Sequence, residues 1–327
     1  MTAGNDLAVA LDLEWVDDHA LERAALAAVG VSLVRGSQLR DGDTGSVVAL
    51  LTAGSRVSAD DLRRYPRLRV VSEFGTGYDG IDVDAAGRLG IAVTNVAGYC
   101  TEEVADHTLA LALTLVRRIE SLSAQARDGR WASVDTGSIA RSADSTWGVI
   151  GFGRVGRAVA RRAAAFGFGV CAYDAYLDPR EIRDHGAEPA ELDDLLRRAD
   201  VVSVHAARTG RDDRMLDRRR ISLLKPTAYL VNVARGEFTD EDALAEALDR
   251  GALAGAALDV LADEPPAPDN RLLNHPRALV TPHSAWYSDP AAIELRTRGI
   301  GAAVDVLSGR RPADLVPELS AWVPARS

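Results

Sequence analysis

The stretch from Trp147 to Asp174 leaves this chain little choice of fold. An apolar run, Trp147–Ile150, meets Gly151-Phe-Gly153-Arg154-Val155-Gly156, and an apolar helical face at Val155, Val159, Ala163 and Phe166 follows. Gly167 stops that helix, and a second apolar run, Val170–Tyr173, ends on Asp174. Glycines at this spacing turn a strand sharply into a helix, so that amide groups and the helix N-terminus face an anion. An acid about 20 residues beyond the glycines then closes the next strand and accepts from a ribose hydroxyl. The stretch meets each condition, which predicts a dinucleotide held by Gly151, Gly153 and Gly156, with Arg154 and Val155 in the same loop, and by Asp174. The Asp174 carboxylate suits the free ribose diol of NAD and repels a 2′-phosphate.

Gly75-Thr76-Gly77-Tyr-Asp-Gly80 spells the same pattern and fails the same test. The next apolar run, Ile91–Val93, follows too soon for a full helix, and the chain reaches Asn95 without an acid. A tight structural loop and a substrate-facing loop are the two readings left for it.

Around the first motif the chain alternates strand and helix. Apolar runs at Leu7–Leu11, Val47–Leu51, Leu68–Val71 and Ile91–Val93 make one series. Trp147–Ile150, Val170–Tyr173, Val201–His205, Tyr229–Val233, Ala254–Leu258 and Ala278–Thr281 make a second, separated by helix-like stretches. Such alternation predicts α/β architecture with parallel sheets covered on both faces. A chain of 327 residues suits two domains better than one. The fold expected is therefore two doubly wound units, the second with six strands. Thr101 to Arg118 reads as a helix, acidic in its first turn, basic in its last and apolar on nearly all sides, hence buried. Pro290 to Leu307 is again helical and is expected to cross back to the first unit.

A net charge of −10 argues against nucleic acid or an anionic membrane as a partner held by bulk charge. Cys100 and Cys171 are too few for a disulfide framework and form no metal-binding pair, so no metal is expected. The apolar run Leu109 to Val116 falls far short of the roughly 20 residues a bilayer requires, and the first residues lack a secretory pattern. These features make a cytoplasmic location the expectation.

Polar residues that follow each strand carry the chemistry in an open α/β sheet. Arg235 follows Tyr229–Val233, Glu264 follows Ala254–Leu258, and His283 follows Ala278–Thr281. Singly these read as a surface arginine, a loop glutamate and a satisfied histidine. Placed together beside a nicotinamide they supply what carbonyl reduction needs: a proton donor, a cation for a carboxylate, and an acid that keeps the imidazole protonated.

With these motifs the chain resembles the D-isomer-specific 2-hydroxyacid dehydrogenases from about Ser72 to Pro312. The residues that carry the resemblance are Gly75–Asp82, Glu103-Val-Ala-Asp106-His107, Gly151–Gly156 with Asp174, Asn232–Gly236, Ala257-Leu-Asp259-Val260 with Glu264-Pro265, and Thr281-Pro-His283. The resemblance implies a Rossmann-type cofactor domain at 99–286 and a discontinuous, flavodoxin-like substrate domain at 1–98 and 287–327. It also implies an arm at about 119–146 that builds a homodimer. His283 becomes the acid/base, Glu264 the partner that keeps it charged, and Arg235 the clamp on substrate carboxylate and carbonyl. Gly75, Thr76 and Gly77 join Trp286 as substrate contacts. Ala234 joins the cofactor contacts, as does Asp259, which meets the nicotinamide amide or serves as a strand-end turn residue. The activity implied is NAD-dependent interconversion of a small 2-oxo acid and its D-2-hydroxy acid.

Within the family, Tyr99-Cys-Thr-Glu-Glu-Val and the segment from Thr281 to Pro290 look most like the C-terminal-binding-protein branch. That gives the rival reading, an NADH-binding corepressor-like protein with little turnover. Arg208 departs from the family pattern. It belongs either to a solvated surface run or to the cleft as an added cation, which would suit a phosphonate- or phosphate-bearing acid.

Overall fold

The computed structural model describes residues 6–13, 15–16, 18–132, 139–207 and 214–322, and the chain divides into two compact units, Met1–Tyr99 with Ser288–Ser327, and Cys100–Tyr287. The first unit opens with β1 (Asp6–Ala10), α1 (Ala20–Ala27), β2 (Val31–Arg35), β3 (Val47–Thr52), α2 (Ala59–Arg64), β4 (Val70–Glu73), α3 (Val83–Arg88) and β5 (Ala92–Thr94). Its strands are parallel in the order β2-β1-β3-β4-β5, the flavodoxin-like arrangement. All six residues of β3 are buried, as a central strand covered on both faces requires. Side chains of Ser58 and Asp82 accept from the Asp61 and Ala85 amides and so start α2 and α3. The Gly75–Gly80 segment is a loop between β4 and α3, with Asp82 rather than a motif glycine as the helix cap. The strand β2 was not anticipated; its alternating, half-exposed Val-Ser-Leu-Val-Arg carries too weak an apolar signal.

The second unit holds α4 (Thr101–Val116), α5 (Ile119–Arg127), β6 (Thr146–Ile150), α6 (Arg154–Ala165), β7 (Gly169–Tyr173), α7 (Pro179–Asp184) and β8 (Glu188–Pro189). It continues with α8 (Leu192–Arg198), β9 (Val201–Val204), α9 (Arg218–Ile221), β10 (Tyr229–Asn232), α10 (Glu241–Asp249), β11 (Gly255–Leu258) and β12 (Ala278–Val280). The parallel order β12-β11-β10-β9-β6-β7-β8 reverses direction between β6 and β9, which is where doubly wound sheets open a crevice. The two-residue β8, absent from the sequence reading, makes the sheet seven-stranded. One face is packed by Leu195, Leu196, Leu216, Phe238, Leu244 and Leu248. The other carries α4 and α6, with Leu109, Ala112, Trp147, Val149, Val159 and Ala163. Buried Trp147 meets Phe168 edge-on at 5.2 Å and donates from Nε1 to Ser203 Oγ at 2.8 Å.

The helix expected to run to Arg118 stops at Val116, because Arg118 takes the left-handed φ of 53° and begins a new helix, α5. Nor is α4 buried all round: Glu102 and Asp106 are exposed and pair with Arg162 of α6. After β12 the chain returns to the first unit as α11 (Asp289–Leu307), where Ser72 Oγ donates to the Gly299 carbonyl at 2.9 Å.

Candidate active site

The glycine loop after β6 places each glycine for a different reason. Gly151 has φ +86°, and a Cβ there would lie 2.5 Å from the Ala206 amide nitrogen. A Cβ on Gly156 would lie 2.0 Å from the Gly151 carbonyl oxygen, so only glycine lets α6 start this close to the strand. Gly153 has open space where its Cβ would point, and it caps α6. These are the tight turn, the close helix–strand packing and the open approach that a pyrophosphate needs. Arg154 and Val155 form the first turn of α6. Asp174, at the end of β7, accepts from the Phe152 amide at 2.8 Å through Oδ2, and from Tyr176 and Leu177 amides at 2.9 and 3.2 Å through Oδ1. A carboxylate has about four acceptor sites, so capacity remains for a ribose hydroxyl. The loop and acid fit a dinucleotide.

At the carboxyl ends of β10, β11 and β12 the unit gathers its charged side chains. His283 Nδ1 lies 2.6 Å from Glu264 Oε2, and the Leu261 amide donates to Glu264 Oε1 at 3.0 Å. Burial pushes the Glu264 carboxyl up, but the His283 hydrogen bond and charge, the Leu261 amide and the Arg235 charge outweigh it and hold the group below the usual carboxylate range. Glu264 is therefore ionised and acceptor-only near neutrality, which assigns the proton between them to His283 Nδ1. The His283 side chain is 47% exposed, open to a reacting molecule.

Arg235 follows β10 in extended backbone, and the Asn232 side chain ties down its loop: Nδ2 donates to the Arg235 carbonyl at 2.8 Å, and Oδ1 accepts from the Ala234 amide at 3.0 Å. Gly236 has to be glycine, since a Cβ would lie 2.0 Å from the Leu261 carbonyl carbon. His205, the other histidine at a strand end here, donates to or accepts from Ser203 Oγ at 2.9 Å. Burial pushes its pKa down to about 3, so it stays neutral and is no rival proton donor.

Asp259 is 2% exposed, and its carboxylate faces the His283 loop. Oδ1 accepts from Thr281 Oγ1 at 2.6 Å and from the Ser284 amide at 2.9 Å, and Oδ2 accepts from the Ala285 amide at 2.9 Å. These are the partners of a strand-end turn residue. His107 Nε2, from α4, lies 3.1 Å from Thr281 Oγ1. Thr281 and His107 stand in the sequence as motif residues with no evident task; the approach of α4 to β10 and β11 joins them to the site. The Trp286 ring meets Tyr287 edge-on at 5.4 Å.

In its own unit, the Gly75–Gly77 loop is pinned by Thr76 Oγ1 donating to the Val96 carbonyl at 3.1 Å and Asn95 Nδ2 donating to the Thr76 carbonyl at 2.7 Å. Among the described residues the amides of Gly75, Thr76 and Gly77 meet no acceptor. Arg208 lies outside the described residues, as does part of the segment expected to form the arm.

Residues 109–285 match the family model for the D-isomer specific 2-hydroxyacid dehydrogenase NAD binding domain. The chain is 35% identical over 280 residues to a glyoxylate reductase from Korarchaeum cryptofilum, covering 85% of this chain and 82% of that one. It is 36% identical over 286 residues to one from Aeropyrum pernix, covering 86% and 84%. A D-lactate dehydrogenase from Aquifex aeolicus, solved with NAD and lactic acid, superposes with a TM-score of 0.85 at 28% identity, over 92% of this chain and 96% of the other. An NADPH-dependent glyoxylate/hydroxypyruvate reductase from Sinorhizobium meliloti, solved with NADP and malonate, gives 0.83 at 26% identity, over 99% and 100%. The chain belongs to the D-isomer-specific 2-hydroxyacid dehydrogenase family. It is an oxidoreductase of that family with a Rossmann-type NAD-binding domain and a second α/β unit.

Proposed function

We propose that this protein reduces a small 2-oxo acid, glyoxylate or hydroxypyruvate in the first instance, to its D-2-hydroxy acid with NADH. The observation that carries the reading is the His283–Glu264 pair at 2.6 Å, within reach of the Arg235 charge and in the unit that holds the dinucleotide loop. Bound NADH supplies the hydride that the carbonyl carbon receives. His283 Nε2 gives its proton to the carbonyl oxygen, while Glu264 keeps Nδ1 protonated and offsets the imidazolium charge. Arg235, a fixed planar cation, clamps the substrate carboxylate and polarises the carbonyl. In the oxidative direction His283 takes the hydroxyl proton back.

Asp174 favours NADH, since its carboxylate accepts from a ribose diol and repels a 2′-phosphate. On the chemistry of their loop, the amides of Gly75, Thr76 and Gly77 serve as donors to the substrate carboxylate. The segment 119–146 is proposed to build a homodimer, which mass measurement in solution tests. Relatives named for glyoxylate support a substrate with one carboxylate. An ionised, solvent-reachable acid/base pair supports turnover over a purely regulatory role.

The test is NADH and NADPH consumption with glyoxylate, hydroxypyruvate and phosphonopyruvate at fixed pH. Turnover of glyoxylate or hydroxypyruvate with NADH preferred supports the reading; tight NADH binding without turnover of any of the three overturns it.

A further inference from the structure

His283 stands in a backbone conformation that histidine seldom holds. Its φ is 49°, one of two positive values outside glycine among the described residues. The left-handed region strains a non-glycine residue and persists only where the surroundings impose it. What imposes it is a turn gathered on one residue, Asp259, through its carbonyl and its carboxylate. The His283 amide donates to the Asp259 carbonyl at 2.8 Å, the Ser284 amide to Asp259 Oδ1 at 2.9 Å, and the Ala285 amide to Asp259 Oδ2 at 2.9 Å.

Asp259 is itself oriented by Thr281, and the direction of that bond can be assigned. Thr281 Oγ1 stands 2.6 Å from Asp259 Oδ1 and 3.1 Å from His107 Nε2. A hydroxyl has one proton, and an oxygen this close to a carboxylate oxygen has to spend it there. Toward His107, Thr281 then offers only lone pairs, so Nε2 must carry the hydrogen and donate. His107 Nε2 is 3.6 Å from Asp259 Oδ1, too far for a direct bond. The order runs from α4 through one hydroxyl to one carboxylate, and from there to the turn that aims His283.

We infer that His107 is a positioning residue of this active site: its Nε2–H fixes the Thr281 hydroxyl on Asp259, and Asp259 thereby holds His283 in its left-handed turn against Glu264. The inference rests on the proposed reductase function for its kinetic consequence, but not for its structural one. His107 touches neither Glu264 nor His283 in the described contacts; its hydrogen bond reaches Asp259 through Thr281.

The experiment compares His107→Ala, His107→Gln and His107→Asn with the unmodified protein, and adds Thr281→Val alone and combined with His107→Ala. Gln carries an N–H donor at the reach of Nε2, whereas Asn is shorter and reaches only as far as Nδ1. With glyoxylate and NADH, His107→Ala and His107→Asn lower kcat by about tenfold, the size expected when a catalytic group loses its aim. His107→Gln recovers most of that loss, and NADH Kd by fluorescence changes by less than about twofold throughout. The double variant is no slower than Thr281→Val, because both changes break one bond. Independently of turnover, amide exchange at Ser284 and Ala285 quickens about tenfold in His107→Ala, while the Tyr176 amide held by Asp174 is unaffected. Unchanged exchange at Ser284 and Ala285 overturns the inference, as does an Asn variant as active as Gln. A protein that reduces no 2-oxo acid overturns the proposed function alone, since the exchange measurement still decides the role of His107. Where His107→Ala does not fold, the Gln and Asn pair carries both readouts.

Discussion

Glu264 Oε2 and His283 Nδ1 lie 2.6 Å apart, with the carboxyl held ionised against its own burial. A carboxylate that accepts the Nδ1 hydrogen fixes the tautomer of the imidazole and leaves Nε2 available for proton exchange. Under the proposed mechanism, this single contact would make a partly exposed histidine a directed acid.

Replacing His283 by Ala removes that acid without touching the glycine loop. Turnover of glyoxylate should fall by about 10²–10⁴-fold, the usual contribution of general acid catalysis, while NADH binding stays intact. Steady-state assays paired with fluorescence titration of NADH check both halves. Near-full activity would remove His283 from the mechanism.

Glu264→Gln keeps an acceptor at Nδ1 but removes the charge that favours an imidazolium. On the acid side the sign follows from the depressed carboxyl: the contribution of the pair to stability is complete above the unfolded carboxyl value, about 4.3, and is lost as pH falls through the lower folded one. Glu264→Gln should flatten that loss, so thermal midpoints of the two proteins should converge as pH drops below about 4.3. Parallel pH profiles for both proteins would contradict the assignment.

Asp174→Ala should narrow the preference for NADH over NADPH by about tenfold, the worth of one or two charge-assisted hydrogen bonds. It should also raise KM for NADH, because the Phe152 amide loses its acceptor and the glycine loop is less firmly held. KM and kcat measured with both cofactors test this; an unmodified protein that uses the two equally would refute it.

Gly156→Ala places a methyl 2.0 Å from the Gly151 carbonyl oxygen, in backbone that cannot yield cheaply. A loss of about 1–3 kcal/mol is expected from overpacking of this kind, read as a lower thermal midpoint, together with weaker NADH binding. Gly153→Ala serves as the contrast, since its Cβ would point into open space: stability should hold while cofactor affinity falls. Equal destabilisation by the two would show that the glycines do not divide their roles this way.

The sequence by itself determined the features that depend on near neighbours in the chain. Trp147 to Asp174 spells strand, turn, helix, strand and acid within one contiguous stretch, and the structure repeats it element by element. Arg235, Glu264 and His283 were legible because parallel strands deliver their following residues to one end of the sheet, whatever the packing beneath. Weak local signals failed: β2 is half exposed, and β8 is two residues long. Arg118 looked like a basic last turn, but its left-handed backbone breaks the helix there.

What only the tertiary structure decided is who shares a proton with whom. Asp259 and Thr281 are 22 positions apart, and His107 and Thr281 are 174 apart. No periodicity or spacing links such residues; α4 must first pack on β10 and β11 before the imidazole of one helix meets the hydroxyl of another strand's end. Hydrogen bonds act over about 3 Å, a distance set by side-chain packing in the folded core and by nothing local to either residue.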